Sequence, residues 1–237
     1  MDKQHFGQHS SSQFNEELES IRDHMMEMGG LVEKQVAEAL EALLTADSQR
    51  AERVLEVDKR VDQLEITIDE ECARVLALRQ PAASDLRMVI AVTKAVSDLE
   101  RIGDESAKIA AMAITLAREG ESPRGYMEVR HIGNQIRHML RETLDAFVRF
   151  DADKAVEIAE EDNAVDLEYR SAMRSLVTYM MEDPRAISSI LNIIWSLRSL
   201  ERIGDHTANV GEQLIFMVKG KDVRHISVAE MQRELKE

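Results

Sequence analysis

Cysteine occurs once in the 237 residues, as Cys72, which excludes an internal disulfide and suits a reducing cytoplasm. Proline occurs three times and aromatic residues make up 4%, so the residues that end helices and those that favour strands are both scarce. The longest apolar run free of charge, residues 186–197, falls short of the roughly 20 residues that a bilayer span needs. The opening MDKQHFGQHSSSQF carries no apolar signal-peptide core, so a cytoplasmic protein is expected. Positive charge is also in deficit: 30 basic side chains face 45 acidic ones, a formal net charge of -15. That field repels phosphate backbones, and no nucleic-acid partner is expected; cations and basic surfaces are attracted. There is no phosphate-cradling glycine loop, no GxSxG and no HExxH, which constrains the chemistry open to the chain. A single ExxH, Glu128 to His131, is one short of the two that a ferritin-like di-iron bundle uses.

What is abundant is helix-forming: Ala, Leu, Glu, Arg and Met, within a 44% hydrophobic total large enough to bury a core. The hexapeptide Leu-Glu-Arg-Ile-Gly-Asp stands at 99–104 and again at 200–205, an offset of 101. Upstream, Glu41-Ala42 to Asp47 matches Asp145-Ala146 to Asp151, and Asp58 and Asp62 match Asp162 and Asp166, at an offset of 104. Such self-similarity marks a duplication, and the offset changes near Pro81 and Pro184, where a loop absorbs length. Apolar residues recur at helical spacing, for example Val54, Val57, Val61, Leu64, Ile68, Cys72 and Val75. The spacing predicts helices over 14–45, 48–78 and 83–119, then 122–150, 153–181 and 185–218. Ala46-Asp47-Ser48 and Phe150-Asp151-Ala152-Asp153 supply N-caps, Gln80-Pro81 and Asp183-Pro184 stop helices, and Gly120 to Pro123 divides the copies. The expected fold is all-α: two tandem three-helix bundles, 1–120 and 121–237, the second ending in a short charged tail that is weakly helical or frayed. Gly29-Gly30 inside the first helix predicts a kink or close packing, and Met25, Met26 and Met28 read as core filler.

Carboxylates then fall into rows. Glu100 and Asp104, Glu201 and Asp205, Asp58 and Asp62, and Asp162 and Asp166 are each spaced i, i+4, so each pair shares one helix face. Glu65 and Asp69 extend the row of the second helix. In an antiparallel hairpin, residues equidistant from the turn lie at equal height. The pairs 62/100 and 58/104 are both centred on Pro81, and 166/201 and 162/205 on the Asp183–Pro184 bond. Each copy therefore presents four carboxylates at matched height on two neighbouring helices. The plain reading is a solvated acidic face, with Arg101 pairing to Asp104 and Arg202 to Asp205. Four facing acids repel, however, and the arrangement occurs twice, which favours a hard or borderline cation such as Mg, Ca, Mn or Fe held by oxygen. His206 and Asn209 are candidate additional ligands, and Gly103 and Gly204 mark a close approach by a neighbouring helix or by ions.

These residues resemble the PhoU family of phosphate-specific transport accessory and regulatory proteins. The resemblance rests on Met28-Gly29-Gly30-Leu31-Val32-Glu33, Asp58 with Val61-Asp62, Arg79-Gln80-Pro81 through Leu86-Arg87, both hexapeptides, Tyr179-Met180-Met181-Glu182-Asp183-Pro184, and Gly204-Asp205-His206-Thr207-Ala208-Asn209. It implies two three-helix bundles whose repeated E/DxxxD motifs bind iron or zinc clusters, with other divalent ions also accepted. The implied ligands are Glu100, Asp104, Glu201 and Asp205, with Asp58, Asp62, Asp162 and Asp166 as partners. Glu105 stands where the second copy has His206, so the two sites need not be equivalent. The resemblance further implies regulation rather than catalysis, so no enzyme is expected: a homodimer represses the phosphate-starvation (Pho) regulon by linking the ATPase of the phosphate ABC transporter to a sensor histidine kinase. Membrane association would then be peripheral, through those partners. A helical adaptor without functional metal remains the alternative, with a ferritin-like di-iron protein behind it.

Overall fold

The structure is a computed structural model that describes residues 12–119 and 124–236. Its elements are α1 (Ser12–Thr45), α2 (Ser48–Arg79), α3 (Ala83–Glu119), α4 (Tyr126–Arg149), α5 (Ala152–Glu182), a one-turn 3₁₀ helix (Pro184–Ala186), α6 (Ile187–Lys219) and α7 (Val228–Lys236). The expected boundary at 120–123, and with it the expected start of the fourth helix at Ser122, lies outside the described residues; the described helix begins at Tyr126, after Gly125 in a left-handed conformation (φ 98°).

The turns repeat as the sequence does. Ala46 and Phe150, equivalent at the offset of 104, both adopt positive φ (52° and 57°). The aspartate that follows each one caps the next helix: Arg50 N–H donates to Asp47 Oδ1 over 2.9 Å, and Lys154 N–H to Asp151 Oδ1 over 3.1 Å. Gln80 closes α2 in the left-handed region, and Asp183 caps the 3₁₀ turn through Arg185 N–H.

Three helices of each repeat pack together, and the repeats join through two antiparallel pairings. α3 packs on α6, with Asp98 against His206 and Asn209, Glu105 against Arg202, and Glu119 against Ser188. α1 packs on α4 through a reciprocal glycine–leucine contact. A Cβ built on Gly29 would lie 2.7 Å from Leu144 Cδ2, and one on Gly133 2.6 Å from Leu40 Cδ1. Gly29 is thus a close-packing position, and α1 runs through it without interruption. α2 and α5 take the outer places, each against its own α3 or α6. One apolar core runs through both repeats, with Ile21, Met25, Met28, Leu99, Ile102 and Ile136 fully buried. Met25 and Met28 are core residues, and Met26 packs against that core.

Of the two forms expected of the tail, the structure shows the helical one. It forms α7, begun by a capping box in which Ser227 N–H donates to Glu230 Oε2 over 2.8 Å and Glu230 N–H returns to Ser227 Oγ. Met231 and Val223 are buried, and Gln232 donates to Glu160 of α5 over 2.6 Å, so burial against α5 holds a helix too short to persist alone. No described helix is long and apolar enough to cross a membrane.

Candidate metal centre

The two hairpins, α2–α3 and α5–α6, bring the carboxylate rows face to face. In the first repeat, burial and the charges of Asp62 and Asp104 raise Asp58 above the ordinary carboxylate range, against a hydrogen bond from Gln35 that lowers it. Burial raises Glu100, followed by Asp104 and Asp62. Glu65, pushed up to about 6, owes this to burial and then to Glu100, so the α2 row continues opposite α3 as its spacing implied. Asp69, next in that row, is raised by burial.

The second repeat is tighter. One ligand oxygen from each of Asp166, Glu201 and Asp205 lies within 4.8 Å of the others, the one such trio among the described residues. Burial raises Glu201 and Asp205, with Asp205 and Asp166 respectively as the largest neighbouring charges. Asp162 is pushed up to about 7 by burial and then by Asp205, Asp166 and Glu201. Glu201 Oε2 is buried without a hydrogen-bond partner, while Oε1 accepts from Arg198 Nη1 over 2.8 Å. Arg170 Nη2 stands 3.4 Å from Asp166. An all-oxygen trio with an orphaned carboxylate oxygen suits a hard or borderline cation; the residues fit.

Glycine makes these rows compact. A Cβ on Gly204 would stand 2.8 Å from Asp162 Oδ1 and 2.9 Å from Ile136 Cδ1. On Gly103 it would stand 3.2 Å from Gln35 Oε1 and 3.3 Å from Asp58 Oδ1. The mid-helix glycines let the outer aspartates lie against the α3 and α6 backbones.

Other candidates go elsewhere. His206 Nδ1 bonds to Asp98 Oδ1 at 2.8 Å, and Asn209 Nδ2 donates to the same oxygen at 3.1 Å, so both reach across to the first repeat. Arg202 does not pair with Asp205 as i, i+3 spacing suggested; its Nη1 lies 2.7 Å from Glu105 Oε1 in that same inter-repeat seam. Asn209 also lines a cleft of about 600 Å³ with Asp162, Asp205, Glu212, Ser227 and Met231, walled on one side by α7. Sequence reasoning passed over Glu212, seven residues after Asp205 on the same face, which is pushed up to about 7 by burial. It also passed over Asp98 and Gln35, whose partners lie on other helices.

Burial and neighbouring charge give the metal-free protein a distinctive pH response. Asp162 holds its proton more tightly when folded, so its contribution is present below the unfolded value near 3.8 and is lost as pH rises through about 7. Urea unfolding in chelator is expected to show the wild type losing more stability than Asp162→Asn between about pH 5.5 and about pH 8. Parallel pH profiles for the two proteins would contradict this.

A model of the PhoU domain matches residues 25–113 and 129–214. The chain is 61% identical to the phosphate-specific transport system accessory protein PhoU homolog of Pseudomonas aeruginosa, over 96% of this chain and 94% of that one. It is 45% identical to the phosphate-specific transport system accessory protein PhoU of Escherichia coli, over 99% and 97%. Among solved structures, the fold superposes on PhoU from Pseudomonas aeruginosa with a TM-score of 0.87 at 62% identity, covering 88% of this chain and all of that one. The phosphate transport system regulatory protein PhoU from Streptococcus pneumoniae gives 0.82 at 33% identity, over 89% and 99%.

Proposed function

The chain belongs to the PhoU family, and from that membership we propose that it is a non-enzymatic accessory regulator of phosphate transport whose paired carboxylate rows hold cations. The regulatory half of this reading is supported by the relatives, which are named as accessory or regulatory proteins of phosphate transport systems. Its finer form is the one the resemblance implies. A cytoplasmic homodimer stands between the transporter ATPase and a sensor histidine kinase, and represses the Pho regulon when phosphate is plentiful.

The single observation that carries the cation half is the trio Asp166, Glu201 and Asp205. These residues would hold one ion in the second repeat, with Asp162 beside them; Asp58, Asp62, Glu100 and Asp104 would serve the first. A bound cation supplies the positive charge that the carboxylates lack. The residues themselves set its place: Gly103 and Gly204 admit Asp58 and Asp162, and the hairpin turns fix matched heights on facing helices. The metal-free adaptor reading draws on Arg198 and Arg170, which already pair with Glu201 and Asp166. Elemental analysis of the purified protein beside a Glu100→Ala/Asp104→Ala/Glu201→Ala/Asp205→Ala variant separates the two; equal, near-zero metal in both leaves the adaptor. For the regulatory role, deleting the gene is expected to raise alkaline phosphatase in phosphate-rich medium, with restoration by the intact gene. Unchanged repression sinks that role.

A further inference from the structure

Gln35 is the one polar side chain in the buried stripe of α1 that runs Met28, Val32, Gln35, Ala39 and Leu43, and it is 1% exposed. Its Nε2 donates to Asp58 Oδ1 over 2.7 Å and to Gly103 C=O over 3.3 Å. Its Oε1 is buried with no hydrogen-bond partner. A core position occupied by an amide with an orphaned carbonyl is a local loss of stability that packing alone does not explain. What the amide does accomplish is to fix the orientation of one carboxylate of the first row, between α1 and the close approach at Gly103.

The second repeat has no amide at the aligned position; its nearby Gln135 donates to Glu168, outside the four row carboxylates, over 3.2 Å. At the offset of 104, confirmed for these helices by the reciprocal Gly29–Leu144 and Gly133–Leu40 contacts, the residue is Met139, fully buried. The side chain beside Asp162 at Gly204 is the apolar Ile136. The two rows therefore share carboxylates and differ in what orients them.

We propose that Gln35 is a positioning residue specific to the first row, which holds Asp58 for a divalent cation, and that its absence from the second repeat makes the two rows cation sites of different character. This rests on the cation reading of the rows. Groups that hydrogen-bond to ligating carboxylates tune affinity, and losing one weakens metal binding by roughly 10–100-fold.

The test is titration of the metal-stripped, full-length protein with Mn²⁺ alone, by calorimetry, with melting temperatures recorded in parallel. Asp58→Asn and Asp162→Asn assign the binding classes to the two rows. Gln35→Met gives the first repeat the residue of the second and keeps the core filled. It is expected to weaken the first-row class by roughly 10–100-fold, leave the second unchanged, and leave the metal-free melting temperature unchanged or raised. Wild-type affinity in both classes overturns the proposal, as does a matched loss in both with a lowered melting temperature, the mark of a merely structural role. Should Gln35→Met fold poorly, Met139→Gln decides: a tighter second-row class supports the proposal and an unchanged one overturns it. Failure of the unsubstituted protein to take up any Mn²⁺ overturns the cation reading, and this proposal with it.

Discussion

Neutralising the second row as Asp166→Asn/Glu201→Gln/Asp205→Asn is expected to raise the stability of the metal-free protein and remove the second row's share of its stabilisation by Mn²⁺, leaving that of the first row. The two effects have opposite signs and one cause. The three oxygens within 4.8 Å of one another repel when ionised, and the partial burial of Asp166 and Glu201 weakens the solvent screening that would relieve them. Amides of the same shape remove the repulsion. They also remove the charge that draws a cation to this row, so mass action at this row no longer favours the folded state. For the wild type, a cation at about 100 times its dissociation constant adds about 2.7 kcal/mol. At roughly 2–4 °C per kcal/mol for a chain of this size, that is a rise of about 5–11 °C in melting temperature. Calorimetric melts with and without Mn²⁺ check both effects. Equal Mn²⁺ shifts in the variant and the wild type would place the binding elsewhere.

Much of this site could be read in advance because its determinants are local. The i, i+4 spacing puts Glu201 and Asp205 on one face, Pro81 and Pro184 locate the turns, and the equal distances of Asp62 and Glu100 from Pro81 set them at one height. Asp47 and Asp151 cap within the segments that the sequence marked for caps, since a cap needs only its next three residues. What escaped depends on contacts between distant segments. His206 and Asn209 turn to Asp98, 108 and 111 residues away, because α3 packs antiparallel to α6, a register that no spacing within one helix encodes. The difference between the rows lies in α1 and α4, at Gln35 and Met139, helices without row carboxylates of their own. A polar residue inside the α1 apolar stripe was the available signal for Gln35. Ser227 followed by Glu230 was the available signal that the tail's helix is capped rather than frayed.

The other large effect is expected at the seam between repeats. Glu105 has a side chain only 3% exposed, and its Oε1 meets Arg202 Nη1 at 2.7 Å and Lys108 Nζ at 2.9 Å. Arg202 belongs to α6 and Lys108 to the same helix as Glu105, so one of the two pairs crosses between repeats. Both basic groups are partly exposed, at 40% and 53%, so the buried partner is the carboxylate. Arg202→Met leaves that charge with Lys108 alone and is expected to cost about 2 kcal/mol, less than the roughly 3–5 kcal/mol for stripping a buried charge of its partners. Arg202→Met/Lys108→Met strips both and should reach that larger figure. Adding Glu105→Met to the pair removes the stranded carboxylate and fills its space, so stability should return to about the wild-type value, since apolar replacements of buried ion pairs are often neutral or better. Urea denaturation of the single, double and triple variants measures the series. The non-monotonic order, with the triple variant more stable than the double, is the decisive feature: a steady decline with each substitution would mean that the seam is held by packing of the long side chains, and that the charge of Glu105 is incidental to it.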